Sequence, residues 1–75
     1  MQGRIKVVMA QIFNVDIDAI TQESSPESIE RWDSLKHMQL ILALEDEFEV
    51  TFSDDDIPNL LSTRAIEDNV RRLVG

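Results

Sequence analysis

The segment that decides the fold reads Trp32-Asp33-Ser34-Leu35-Lys36-His37-Met38-Gln39-Leu40-Ile41-Leu42-Ala43-Leu44-Glu45-Asp46-Glu47-Phe48. Either Asp33 or Ser34 can accept hydrogen bonds from the unpaired amides of a helical first turn, so a helix is predicted to open there and run to about Phe48. At about 100° per residue, His37, Leu40, Ile41, Leu44 and Phe48 share one arc, the face that has to be buried. Leu35, Met38 and Leu42 lie on nearly the opposite arc, with Gln39, Asp46 and Glu49. A helix apolar on two sides has more apolar surface than a chain of 75 residues can cover. Part of the second stripe is therefore expected to stay exposed as a docking surface.

Upstream, Ile5, Val8, Met9 and Ile12 stand at i, i+3, i+4 and i+7, which predicts a first helix over about Gly3 to Phe13. From Asn14 to Asp33 that periodicity fails, and Thr21-Gln22-Glu23-Ser24-Ser25-Pro26-Glu27-Ser28 reads as a long loop. Loops of this length in small domains are usually functional or disordered. Here Val15, Ile17, Ile20, Ile29 and Trp32 are spread along it as anchors, so it is expected to be pinned across the bundle. Asp16, Asp18 and Ser28 are candidate caps for short turns within it.

Downstream, Ser53-Asp54-Asp55-Asp56 has capping-box spacing, but Pro58 fits only a first turn, so a short third helix is predicted from near Asp56 to Leu61. Thr63 is then expected to cap a fourth helix with Ile66, Val70, Leu73 and Val74 on one face. Arg71 and Arg72 sit in its last turn, where they complement the helix dipole. The expected architecture is all-α: a four-helix bundle with a long first connection and no strand, in a single domain over residues 1–75.

Composition narrows the chemistry. The chain has no cysteine, which excludes disulfides, thiolate metal sites and a protein-borne thiol nucleophile. A formal net charge of −8 disfavours nucleic acid, whose binding depends on neutralising phosphates, and favours basic partners. Gln11, Asn14 and Asp16 interrupt the apolar start, so no secretory leader is expected, and no stretch approaches the roughly 20 apolar residues of a membrane span. A soluble, cytoplasmic, monomeric protein is the expectation. Asp54-Asp55-Asp56 lacks the alternating spacing and central glycine of an EF-hand loop, so no dedicated metal site is expected; weak electrostatic binding of divalent ions is.

Ser34 has no catalytic company. The lone histidine, His37, lies three residues along the same helix, on the arc assigned to the interior, and reads as a packed or boundary residue. Taken alone, a serine after an aspartate at a helix start is a cap. If it does more, it serves as an attachment point and not as a nucleophile.

Asp33-Ser34-Leu35, followed by Leu40-Ile41-Leu42-Ala43-Leu44-Glu45-Asp46-Glu47-Phe48 at a fixed register, resembles the acyl carrier protein family along the length of the chain. In that family the apolar run ends Ala-Leu-Glu-Glu-Glu-Phe. The resemblance implies a covalent 4′-phosphopantetheine on Ser34, transferred from coenzyme A by a magnesium-dependent phosphopantetheinyl transferase. It implies a role for Asp33 in recognition by that transferase, beside its role as cap. A phosphodiester suits a helix entrance, where free amides and the positive dipole end meet it.

The same resemblance implies a carrier and not an enzyme. Its partners would be acyl-loading, condensing or acyl-transfer enzymes with basic docking patches. Leu35, Met38, Leu42, Glu45, Asp46 and Ile57 are the expected contacts. Lys36 and Gln39 stand where fatty-acid carriers commonly have acids, and Arg31 and Trp32 where glycine and a small residue are usual. These departures imply a specialised lipid or secondary-metabolite pathway. An aminoacyl or peptidyl carrier would share the fold and cofactor, but no Gly-Gly-His-Ser type motif is present. A cofactor-free acidic interaction module, with Ser34 a simple cap, is the alternative of another class.

Overall fold

The structure, a computed structural model, describes residues 2–74, apart from the side chain of Gln2. It contains three α-helices, α1 (Gln2–Phe13), α2 (Ser34–Phe48) and α3 (Thr63–Val74), with 3-10 turns at Ile17–Ala19 and Ile57–Asn59. No strand occurs among the described residues.

In α1, Ile5, Met9 and Phe13 recur every fourth residue and are fully buried, with Val8 beside them. Phe13 takes the interior place expected of Ile12, which packs at the margin of the core. Both α1 and α2 end on a non-glycine residue in the left-handed region, Asn14 at φ 55° and Glu49 at φ 54°. Each end is closed by an amide reaching back across the last turn: Val15 to the Ala10 carbonyl at 3.1 Å, and Val50 to the Glu45 carbonyl at 3.2 Å. These are Schellman closures, and they satisfy carbonyls that a helix end leaves without partners.

The connection over 14–33 is pinned, as its apolar spacing suggests. Ile20, Ile29 and Trp32 are buried, whereas Ile17 is exposed. The Trp32 ring lies against Phe13, centroids 4.9 Å apart, which ties the end of the connection to the end of α1. Its middle is bonded to α3: the Thr63 and Arg64 amides donate to the carbonyls of Ser24 and Gln22, both at 3.1 Å. The Gln22 side-chain amide also donates to the buried carboxylate of Glu67 at 3.0 Å.

Two sequence expectations are corrected. Among the described residues the bundle has three α-helices, not four, because the segment expected to form the third is the 3-10 turn Ile57–Asn59. Pro58 sits within it, and Leu60 leaves helical geometry at φ −85°, ψ 59° so that its side chain can enter the core. The cap of α3 is Ser62, whose hydroxyl accepts from the Ala65 amide at 3.0 Å. Thr63 is the first helical residue, fully buried, and its hydroxyl donates to the Met9 sulfur at 3.5 Å. On α3, Ile66 and Val70 are buried while Leu73 and Val74 remain exposed, since the helix runs past the core it covers.

Candidate functional site

The head of α2 is organised by Asp33. Its backbone is extended (φ −101°, ψ −175°), and its carboxylate accepts the Lys36 amide at 2.8 Å. Its carbonyl accepts the His37 amide at 2.8 Å. That leaves the Ser34 and Leu35 amides heading the helix with no carbonyl a turn before them, at the positive end of its dipole.

Ser34 is exposed at this position. The chain has six serines, and the other five use their hydroxyls as turn or cap acceptors. Ser24 accepts from Thr21, Ser25 from Glu27, Ser28 from Ser25, Ser53 from Asp56 and Ser62 from Ala65. Asp33 performs the capping at α2, so Ser34 is the one serine among the described residues whose hydroxyl has no hydrogen bond within the chain.

Ser34 opens onto a recess of about 520 Å³ between the end of the first connection, the first turns of α2 and residues 57–61. Its walls are mostly apolar, from Pro26, Trp32, Met38, Ile57, Pro58 and Leu61. His37 also lines it, but not as a base for Ser34. The Trp32 indole N–H donates to His37 Nδ1 at 3.0 Å. An indole N–H can only donate, so Nδ1 is the acceptor and the ring proton sits on Nε2, which donates to the Ile57 carbonyl at 2.9 Å. Both imidazole nitrogens are thus engaged away from the serine.

Of the remaining expected contacts, Leu35 (67% exposed), Leu42 (61%) and Met38 (47%) form an outward apolar stripe. The face of α2 expected to be buried holds Leu40, Ile41 and Leu44, with Phe48 packed at the margin of the core. Asp46 is exposed, and Ile57 is half-buried at the recess. Glu45 is half-exposed, and its carboxylate accepts the Phe52 amide at 2.9 Å and fastens the chain that leaves α2. Beside it, Glu47 pairs with Arg4 at 2.7 Å, and the Arg4 guanidinium lies 4.7 Å from the centre of the Phe48 ring. Asp56, in the acidic run, pairs with Arg72 at 3.1 Å.

A family model of the phosphopantetheine attachment site matches residues 3–70. The chain belongs to the acyl carrier protein family. The carrier is 32% identical over 74 residues to the acyl carrier protein of Buchnera aphidicola subsp. Baizongia pistaciae, covering 99% of this chain and 95% of the relative. It is 39% identical over 66 residues to that of Campylobacter jejuni subsp. doylei, covering 88% and 82%. Its fold superposes with a TM-score of 0.87 on the solution structure of a holo acyl carrier protein from Geobacter metallireducens, which is 29% identical, over 97% of this chain and 84% of the other.

The prosthetic group of the carrier is covalent 4′-phosphopantetheine. A serine-linked phosphodiester needs an exposed hydroxyl, unpaired donors for its oxygens and room for the arm; the head of α2 fits on all three counts. Carriers of this family are handled by transferases and by acyl-handling enzymes. Sequence reasoning missed the bond between Trp32 and His37. The signal was present, because Trp32 precedes the cap and His37 is the fourth helical residue, the two positions that staple a helix entrance.

Proposed function

We propose that Ser34 is the attachment point of the 4′-phosphopantetheine arm and that the protein acts as a shuttle for acyl groups and not as a catalyst. The observation that carries this reading is the Ser34 hydroxyl: exposed, relieved of capping by Asp33, and without a hydrogen bond within the chain among the described residues. When bound, the arm supplies the terminal thiol that this cysteine-free chain lacks, on which an acyl group is held as a thioester. The residues around it divide the remaining work. Asp33 fixes the first turn and marks the site for the transferase. The Ser34 and Leu35 amides face the phosphodiester oxygens. Leu35, Met38, Leu42 and Ile57 offer apolar contact to partner enzymes, and Asp46 draws their basic patches. Glu45, half-exposed with one carboxylate oxygen on the Phe52 amide, adds its charge at the edge of that surface.

The partner set is proposed to be specialised, in a lipid or secondary-metabolite pathway, and the protein to act as a cytoplasmic monomer of one domain. Lys36 and the exposed Gln39 and Arg31 replace acidic or small surface with positive or neutral groups around Ser34. A condensing enzyme that reads acids there would meet like charge at Lys36. Coexpression with a broad-range phosphopantetheinyl transferase tests the attachment: the intact mass is expected to rise by one phosphopantetheine, with no rise in Ser34→Ala. An unmodified wild-type chain beside a modified control carrier contradicts the reading and favours a cofactor-free interaction module.

A further inference from the structure

Two adjoining segments and a third 20 residues further on meet at the recess beside Ser34, and one imidazole joins them. Trp32 lies at the end of the first connection, His37 is the fourth residue of α2, and Ile57 opens the 3-10 turn. The Trp32 indole is held by the Phe13 ring, so its N–H has a fixed direction toward His37 Nδ1. The two rings lie 6.1 Å apart between centres and 25° from parallel, with the 3.0 Å N–H to N bond linking them. On the far side Nε2 donates to the Ile57 carbonyl, which also receives the Leu60 amide at 3.2 Å. The position of the 3-10 turn is in this way referred, through one ring, to Trp32 and to the end of α1.

Few side chains could replace that ring. The bridge needs an acceptor toward the indole and a donor toward a carbonyl, on a rigid frame. Lysine and arginine offer no acceptor, and ionised aspartate and glutamate offer no donor. Glutamine reproduces the donor at the Nε2 position, and asparagine the acceptor at the Nδ1 position, but neither does both from this backbone site.

We propose that His37 is a positioning residue: as the Nε2–H tautomer between Trp32 and the Ile57 carbonyl, it fixes the wall of the recess into which Ser34 opens and so sets how the arm and its acyl group are held. This rests on Ser34 being the attachment point. Ser34 itself lines the recess, so a group on its oxygen begins within these walls, against Met38, Ile57 and Leu61. With His37 gone, the Trp32 N–H loses its acceptor and the turn loses its tie to α2, and the wall is free to shift.

The test uses the full chain, first unmodified and then as holo protein loaded with an octanoyl thioester, with full loading verified by intact mass. In the unmodified protein, nitrogen NMR of the imidazole is expected to show an unprotonated Nδ1 and a protonated Nε2; a proton on Nδ1 overturns the proposal. In the loaded protein, hydroxylamine cleavage of the thioester is expected to be about fivefold faster in His37→Ala, the factor given by losing one hydrogen bond of ordinary net worth. His37→Gln, which keeps the donor to Ile57, is expected to recover part of that protection. Trp32→Phe, which keeps an aromatic ring beside Phe13 but removes the N–H together with part of the indole, is expected to fall between wild type and His37→Ala. Cleavage within about 1.5-fold of wild type in all three folded variants, well below the factor for one hydrogen bond, overturns the positioning role and leaves Ser34 as the attachment point. A wild-type chain that takes up no phosphopantetheine overturns both.

Discussion

The two long connections of this bundle are held in different ways. Residues 14–33 belong to the core: Ile20, Ser24, Ile29 and Trp32 are buried, and the carbonyls of Gln22 and Ser24 take the first amides of α3. Residues 49–62 are anchored by Phe52 and Leu60, but past the backbone closure at Val50 their polar ties to α2 come from two side chains, Glu45 at the Phe52 amide and His37 at the Ile57 carbonyl. The first connection therefore moves only with the bundle. The second hangs from the helix that carries the outward stripe of Leu35, Met38 and Leu42.

Substitutions that remove one tie at a time can break or sharpen this contrast. The largest effect is expected from Trp32→Ala, which empties the end of the first connection and removes its contact with Phe13. A loss of about 3–5 kcal/mol in urea unfolding is predicted. A loss below about 1 kcal/mol, far under the range for a buried tryptophan, would place this connection outside the core. Glu45→Ala removes the charged acceptor of the Phe52 amide and is expected to cost about 1–3 kcal/mol. Faster hydrogen exchange over 50–60 than over 20–32 should accompany it; equal acceleration in both connections would show that they are not independently held. The smallest effect concerns the hinge between α2 and the second connection. Glu49 stands at φ 54° without being glycine. Glu49→Gly is expected to stabilise by about 0.5–1 kcal/mol in the same unfolding assay, and a destabilised variant would mean that the Glu49 side chain contributes more than its backbone strain costs.

The sequence made α1 and α2 legible because their apolar residues repeat at helical spacing, and Asp33 legible as a cap because its carboxylate has a backbone use. Residues 56–61, read as a helix from the capping-box spacing before them and the place of Pro58, were misjudged. Pro58 is tolerated in a first turn, but Leu60 is drawn into the core and Ser62 is needed as the cap of α3, so no helix fits between them. Thr63 and Ser62 are adjacent candidates of similar chemistry, and only the burial of Thr63 against Met9 decides between them. At the site, exposure of the second stripe followed from its opposition to the buried arc. The step from Trp32 to His37 had a local signal in the two positions that staple a helix entrance, but the step from His37 to Ile57 had none, because it joins a helix to a turn 20 residues away. The bond of Glu45 was hidden for the same reason: the run Glu45-Asp46-Glu47 reads as one acidic face, although the first carboxylate accepts a backbone amide and the third pairs with Arg4.

Ser34 is the one serine among the described residues whose hydroxyl the fold leaves unused. Peptide mapping by tandem mass spectrometry, after reaction with coenzyme A, magnesium and a broad-range phosphopantetheinyl transferase, tests this directly. The account predicts a single phosphopantetheine on the peptide carrying Ser34, and none on those carrying Ser24, Ser25, Ser28, Ser53 or Ser62. Modification at any of those five, or of Ser34→Ala to the same extent as wild type, would contradict it.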